Sequence, residues 1–365
     1  MNVCIVGNGL TSLSLAKNLI NKKINVHIYE ENKIVNLISS RTIGVSKKNL
    51  DFFKKEILNL SNRDIWEIKK IEIYSHKIKN NKILNFEENS NLFYMIKNDL
   101  LLKKLNTQLL KSKFFKKTNI KDNLFFEKEI NNKKYDLIIN CQQNNYFAKK
   151  YFSKKISKDY KNIAYTSIIE HQKLDNNTAV QIFSKFGPIA FLPISNKKTS
   201  VVCSLETKNK TYTKSEVLDL INDNNPKFKI KKISELDSFE LKSTNLRTYY
   251  FKNILAFGDL LHRIHPLAGQ GFNMSIRDIK IFSEIVQNKI DLGIQLDELV
   301  LEEFEKKTRH TNLIFSSGID FIYEFFNFDK KSKNKNLNKI LRYVGKNKNI
   351  NDAFIKLANN GLNIY

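Results

Sequence analysis

Gly258-Asp259-Leu260-Leu261-His262-Arg263-Ile264-His265-Pro266-Leu267-Ala268-Gly269-Gln270-Gly271-Phe272-Asn273 follows the apolar stretch Asn253-Ile254-Leu255-Ala256-Phe257. It leads into a helical pattern that keeps Ile276, Ile279, Phe282 and Ile285 on one side. Its counterpart lies near the start of the chain, where Gly7-Asn8-Gly9-Leu10-Thr11-Ser12 comes directly after Val3-Cys4-Ile5-Val6 and directly before Leu13, Leu15, Ala16, Leu19 and Ile20. Strand, glycine turn and helix in that order form the dinucleotide fingerprint with a small third residue. Gly7 permits the tight turn, Gly9 lets the backbone approach a pyrophosphate, and Ser12 keeps helix and strand close. Leu10 and Thr11 open the helix, whose first N–H groups face the phosphates. The next strand, Ile24-Asn25-Val26-His27-Ile28-Tyr29-Glu30, alternates and ends in an acid. That acid stands about 20 residues beyond the glycines, where a ribose hydroxyl is held.

The two blocks read together as one FAD site. Asp259, at a strand end, is suited to ribityl or ribose hydroxyls because a carboxylate accepts two strong hydrogen bonds; as an alternative it caps a turn. Gly269 and Gly271, flanking Gln270, let the backbone pass close to a flat ring. The helix that begins near Asn273, after Phe272, turns its positive end toward that ring and favours the negative charge of a reduced flavin. His262 and His265 lie three apart, but no His-Glu-x-x-His pattern or cysteine ligand accompanies them, so no metal is expected.

These blocks resemble the FAD-dependent aromatic hydroxylases with the p-hydroxybenzoate hydroxylase fold, and among them the ubiquinone-biosynthesis hydroxylases. Ser39-Ser40-Arg41-Thr42-Ile43-Gly44-Val45-Ser46 is similar to the family's early arginine segment. Phe186-Gly187-Pro188-Ile189-Ala190-Phe191-Leu192-Pro193-Ile194 is similar to the mid-chain substrate-domain strand of the quinone branch. Phe304-Glu305-Lys306-Lys307-Thr308-Arg309, Asn312 and the aromatic run after it are similar to the C-terminal helical region. The resemblance implies an α/β fold: a Rossmann-type FAD-binding domain (1–75, 95–163 and 250–290), an antiparallel-sheet substrate domain (76–94 and 164–249) and a C-terminal helical region (291–365). It also implies an Arg41 contact to FAD phosphate and places His265 and Pro266 near the flavin ring, as weak candidates for a catalytic part. The implied activity is hydroxylation of a polyprenylated phenol in ubiquinone biosynthesis, through a peroxyflavin formed from reduced FAD and O2, with NADH or NADPH as reductant. One departure stands out: the Asp-Gly pair expected after Leu137-Ile138-Ile139 is Gln142-Gln143 here, and the serine that follows it is Tyr146. Charge and backbone freedom are both lost there. That keeps two alternatives open, a non-catalytic FAD-binding accessory protein of a quinone-biosynthesis assembly and another flavin oxidoreductase such as a prenyl reductase.

Composition narrows the partners. The chain has 365 residues, 41% of them hydrophobic, and a formal net charge of +25. The lysines are dispersed and accompany no aromatic platform, which argues against nucleic acid. A bias toward Lys, Asn and Ile, or attraction to an anionic membrane surface, accounts for them. The first strand starts almost at once, which predicts no secretory leader, and no apolar run approaches the roughly 20 residues of a membrane span. Cys4, Cys141 and Cys203 are widely separated and form no Cys-x-x-Cys pair, as expected of reduced thiols in the cytoplasm. The aromatic run from Leu313 to Phe328, with lysines after it, reads as a core helix or as a greasy wall for a prenyl tail at the inner face of the membrane.

Overall fold

The runs Val3–Val6, Leu137–Ile139 and Ile254–Ala256 are apolar at every position, a pattern that requires cover on both faces of a strand. The computed structural model, which describes residues 1–31, 41–75, 82–87, 92–120, 135–207, 210–265 and 271–331, provides that cover. β1 (Asn2–Val6), β2 (Asn25–Glu31), β8 (Phe115–Ile120), β9 (Leu137–Asn140), β16 (Tyr250–Phe251) and β17 (Ile254–Ala256) form a six-stranded sheet in the order β16-β17-β9-β1-β2-β8. Its pairs are parallel except β16 with β17. The helices α1 (Leu10–Asn21), α3 (Asn98–Leu110) and α6 (Gly271–Asp291) bury Leu13, Leu101, Leu105, Ile276, Ile279, Phe282 and Ile285 in one core with these strands. The helical spacing read from the sequence around Ile276 is thus the buried face of α6.

The second layer is a nine-stranded sheet, β18-β15-β10-β13-β12-β11-β5-β6, with β14 beside β10. Its members are β5 (Lys70–Ser75), β6 (Lys82–Glu87), β10 (Lys155–His171), β11 (Thr178–Ser184), β12 (Gly187–Ser195), β13 (Lys198–Glu206), β14 (Ile230–Ile233), β15 (Asp237–Leu246) and β18 (His262–Arg263). The Gly187-Pro188 break is the β11–β12 hairpin, with Ser184 opposite Gly187. Gly187 has φ +142°, and a Cβ there would stand 1.9 Å from the Ser204 carbonyl oxygen, so only glycine fits. One face of the sheet is packed by α5 (Lys214–Asp223), through Val217 and Ile221 against Val201, Cys203 and Leu205.

A three-stranded sheet of β3 (Thr42–Ser46), β7 (Phe93–Lys97) and β4 (Ile65–Ile68) continues into α2 (Lys47–Phe52) and is pinned to α6 by Asn273. The Asn273 amide donates to the Gly44 carbonyl (2.8 Å) and accepts from Ser46 N–H (2.9 Å) and from the Asn49 amide (2.9 Å). α4 (Tyr146–Tyr151) and α7 (Glu298–Lys331) complete the fold.

Two expected boundaries shift. Residues 70–75, assigned above to the nucleotide domain, pair in parallel with β11, and 155–163 are already part of β10 in the second sheet. Lysine-rich strands such as Lys155–Asp159 hide the alternation, and parallel pairing of β5 with a strand a hundred residues later leaves no local signal. α7 is amphipathic: Phe315, Ile319 and Tyr323 are buried against the nine-stranded sheet, while Leu313, Ile314 and Phe321 are exposed. The side chains of Phe325, Phe326 and Phe328, and the residues after Lys331, lie outside the described residues. No described helix is long and apolar enough to cross a membrane.

Candidate functional site

Val6, Asn140 and Ala256 stand at one level across β1, β9 and β17, so the three segments that follow leave the sheet at the same edge. Backbone bonds hold them there: Cys141 N–H donates to the Val6 carbonyl (2.9 Å), and Phe257 N–H to the Asn140 carbonyl (2.9 Å). Gly258 has φ +60°, and a Cβ on it would stand 2.9 Å from Thr11 Cγ2. The two glycine motifs found in the sequence therefore pack directly on each other. Between this edge and the nine-stranded sheet runs a cleft of about 1910 Å³.

Gly7, Gly9, Leu10, Thr11, Ser12, Glu30, Arg41, Asp259, Gly271 and Phe272 all line the cleft. The Glu30 carboxylate pairs with Lys117 (3.0 Å). Asn273 does not line it, because its side chain is consumed by the clamp to β3 and α2. Pro266, Gly269 and Gln270, like Ser39 and Ser40, lie outside the described residues. His265 is also displaced from expectation. It is 1% exposed, stacked on Tyr323 (4.3 Å) and edge-on to Tyr160 (4.8 Å), in the apolar cluster behind the cleft rather than on its wall.

The residues present suit a flavin dinucleotide. Gly9 is the N-cap of α1, with no side-chain cap and no acid in the first turn, so the leading N–H groups of the helix are left to an anion. A Cβ built on Gly9 meets no atom within 4 Å, so the space beside that backbone is open to the cleft that Gly9 lines. Asn8 Oδ1, Thr42 Oγ1 and Gln142 Oε1 are buried cleft-lining atoms without a hydrogen-bond partner, and hydroxyl-rich ribose and ribityl groups would satisfy them.

The Gln142-Gln143 departure has a structural counterpart. The Gln143 amide donates to the Asp259 carbonyl oxygen and ties the segment after β9 to the Asp259 turn. Asn140 and Asn145 exchange amide bonds (3.0 and 2.8 Å), and Asn145 caps α4, so the segment is held rigid without an Asp-Gly pair.

His262 lines the cleft and is backed by a buried network that sequence reading missed. Its Nε2–H donates to Asp278 Oδ2 (2.5 Å), and the other oxygen of Asp278 accepts from the Asn312 amide (3.1 Å). A carboxylate can only accept, which fixes the proton of a neutral ring on Nε2. The only local sign was a polar residue beside the apolar stripe of α6. Arg277, the next residue back, lays its guanidinium over Phe315 (4.2 Å), with both terminal nitrogens buried and unpartnered; burial lowers its pKa. Among the described residues no three His, Cys, Asp or Glu side chains are placed to hold a metal ion. All three cysteines are free, and burial pushes the Cys203 thiol up to about 12.

Comparison with known proteins agrees with this geometry. Residues 153–285 match the family described as FAD binding domain. In fold the chain is similar to p-nitrophenol 4-monooxygenase of Pseudomonas putida (TM-score 0.74, 13% identity, 98% of each chain). It is also similar to HpxO of Klebsiella pneumoniae complexed with FAD (TM-score 0.70, 11% identity, 98% of this chain and 99% of that one). The chain thus has the fold that these solved structures share, and its residues 153–285 carry the match to the FAD binding domain. Among curated proteins it is similar to a mitochondrial ubiquinone biosynthesis monooxygenase of Dictyostelium discoideum, 26% identical over 41% of this chain and 38% of the relative. It is likewise similar to 3-demethoxyubiquinol 3-hydroxylase of Escherichia coli, 27% identical over 40% of this chain and 39% of the relative. The matched part thus spans about two fifths of the length of these relatives.

Two expectations follow. Gly9→Val should remove most bound flavin while leaving the melting temperature of the flavin-free chain unchanged, because the new side chain meets only ligand space. Gly258→Ala should lower both, with a stability cost of about 1–3 kcal/mol from the left-handed backbone and the contact with Thr11. Flavin absorbance and thermal unfolding of the two variants check this.

Burial, helped by the positive charge of Lys158, pushes the His265 ring from 6.5 down to about 3. A depressed histidine pKa adds stability that is complete above about 6.5 and is lost as the pH falls from there toward 3. His265→Phe, which keeps an aromatic ring between the tyrosines, should flatten the fall in stability over that interval by up to about 1.4 kcal/mol per pH unit. Denaturant unfolding of both proteins at stepped pH measures the difference; parallel curves would mean the ring is not buried neutral.

Proposed function

We propose that the chain holds FAD along the cleft and hydroxylates the ring of a polyprenylated phenol in ubiquinone biosynthesis. The observation that carries this reading is the cleft itself. One wall is a phosphate-ready helix start with unpartnered acceptors, and the opposite wall carries Leu192, Val202, Phe239 and Leu241 of the nine-stranded sheet beside Lys242 and Arg263, so a dinucleotide and an apolar ring are accommodated together. The names of the curated relatives support the substrate class.

In this reading the N–H groups of Gly9 to Ser12 bind the pyrophosphate, Glu30 the adenosine ribose, Arg41 a phosphate oxygen and Asp259 the ribityl chain. Gly271 and Phe272, the first described residues of α6, bring backbone close to the ring system. His262, held by Asp278 and Asn312, keeps a single tautomer on the cleft wall. When bound, FAD supplies the electrons and the activation of dioxygen. In the net reaction one oxygen atom enters a ring C–H bond, the other leaves as water, and a nicotinamide donor, NADH or NADPH, provides two electrons. The exposed Leu313, Ile314 and Phe321 of α7 offer an apolar surface to a prenyl tail or to the inner face of a membrane, and a quinone-biosynthesis complex is a compatible setting.

A second reading is favoured by Gln142-Gln143: an FAD-binding accessory protein that a nicotinamide does not reduce. Anaerobic addition of NADH or NADPH with a geranylphenol separates the two. Bleaching of the flavin band, followed on admission of oxygen by a product 16 mass units heavier, is expected. A band that persists with both donors would favour the accessory reading, and saturation of a prenyl double bond without oxygen insertion would indicate a reductase.

A further inference from the structure

Asp278 is a charge set beside the apolar stripe of α6. It is 1% exposed, and a carboxylate in such a place is costly unless its partners use it. Those partners are an imidazole and an amide: Oδ2 accepts from His262 Nε2–H (2.5 Å) and Oδ1 from Asn312 (3.1 Å). The titratable groups whose charge reaches Asp278 are Arg277, laid over Phe315, and Tyr249, hydrogen-bonded to Asn312. From the sheet side, β15 sets the neutral Asn245 opposite His262.

This pair stands at the ring end of the cleft. His262 lines the cleft together with Phe272 and Ser275 of α6, and Asp278 follows Ser275 one turn along the helix. Pairing of β18 with β15 puts His262 in the layer that presents Phe239 and Leu241 to the same space. With the Nε2 proton held by Asp278, the ring keeps a lone pair on Nδ1, to which no described residue donates. A buried acid in this position fixes the tautomer of an imidazole and stabilises the imidazolium that forms when it takes a proton.

Resting on the reading of the cleft as a phenol hydroxylase site, we infer that His262 is the general base that takes the phenol proton at Nδ1, with Asp278 as its positioning residue. The substrate O–H bond breaks and an Nδ1–H bond forms. The electron pair left on the ring oxygen enriches the carbon that receives the new oxygen atom. Once that C–O bond has formed, the original ring oxygen is a ketone. Loss of the ring C–H proton to water then restores aromaticity, and the Nδ1 proton returns to the ketone oxygen. The two electrons come from the nicotinamide donor, and the imidazole ends neutral.

The test uses the FAD-loaded chain and 2-geranyl-4-fluorophenol, whose fluorine NMR shift reports ionisation of the ring oxygen. In wild type the bound phenol should ionise at a pH at least about one unit below that of the free compound. His262→Gln keeps a donor for Asp278 but has no basic nitrogen. It should abolish this difference and slow hydroxylation of geranylphenol about a hundredfold near neutral pH. Its rate should recover at higher pH, where the phenol ionises unaided, whereas loss of a merely structural residue would lower the rate equally at every pH. Asp278→Asn, whose amide can donate to the ring and reverse its tautomer, should slow the reaction as much while leaving flavin content unchanged. Nitrogen NMR of wild type needs no variant: His262 should carry its proton on Nε2 in the free chain and gain a second on Nδ1 when the phenol binds. A proton on Nδ1 before binding, an unchanged ionisation pH in His262→Gln, or a uniform loss of rate across pH would overturn the assignment. Ionisation of the bound phenol without any hydroxylated product would contradict the hydroxylase reading and leave the proton transfer to His262 standing.

Discussion

The alignment of Val6, Asn140 and Ala256 across three parallel strands is the constraint on which the rest of the structure depends. Because the strands end level, the turns beginning at Gly7, Cys141 and Phe257 emerge side by side. β1 is also the point where the strand order reverses, with β2 on one side and β9 on the other. A crevice at such a reversal, outside the carboxyl ends of the strands, is where open α/β sheets bind ligands. The contact of Thr11 with Gly258 locks the first and last of these turns together across some 250 residues of chain. Shifting one strand by a single residue would separate them and turn its side chains to the other face.

The cleft divides its chemistry between two walls. Glu30 and Asp259 line it from the side of the parallel sheet and Arg41 from the start of β3, where a phosphate-bearing cofactor has charges and hydroxyls to satisfy. The described side chains that the central strands of the antiparallel sheet present are uncharged. Between the layers, α6 serves both. Asn273 anchors it to β3 and α2, and Asp278 anchors His262, so the helix that flanks the cofactor position also fixes a residue of the wall. Coupling of this kind makes cleft geometry sensitive to α6 packing rather than to surface charge, although the chain carries a net +25.

Much of this was legible in the sequence because it is local. Continuous apolar runs announce buried parallel strands, and the glycine turn after Val6 announces the helix start. Glu30 sits at the end of β2 and Asp259 in the turn that follows β17, both placed by those runs. What escaped is what pairing across long separations creates. β5 joins β11 by parallel pairing that no local pattern encodes. Asn273, at the end of a motif that suggests ligand contact, spends its amide on Gly44, Ser46 and Asn49. His265 turns into the tyrosine cluster instead of the cleft, since neighbouring residues of an extended segment face opposite ways.

The central claim is that the cleft is built for a dinucleotide, with separate places for the adenosine and the flavin halves. Titration of the flavin-free chain with FAD and with FMN, followed by calorimetry, tests it most directly. The account predicts one FAD per chain and FMN binding at least about tenfold weaker, because FMN leaves Glu30 unused and fills fewer of the unpartnered acceptors. Equal affinity for the two flavins, or binding of neither, would contradict it.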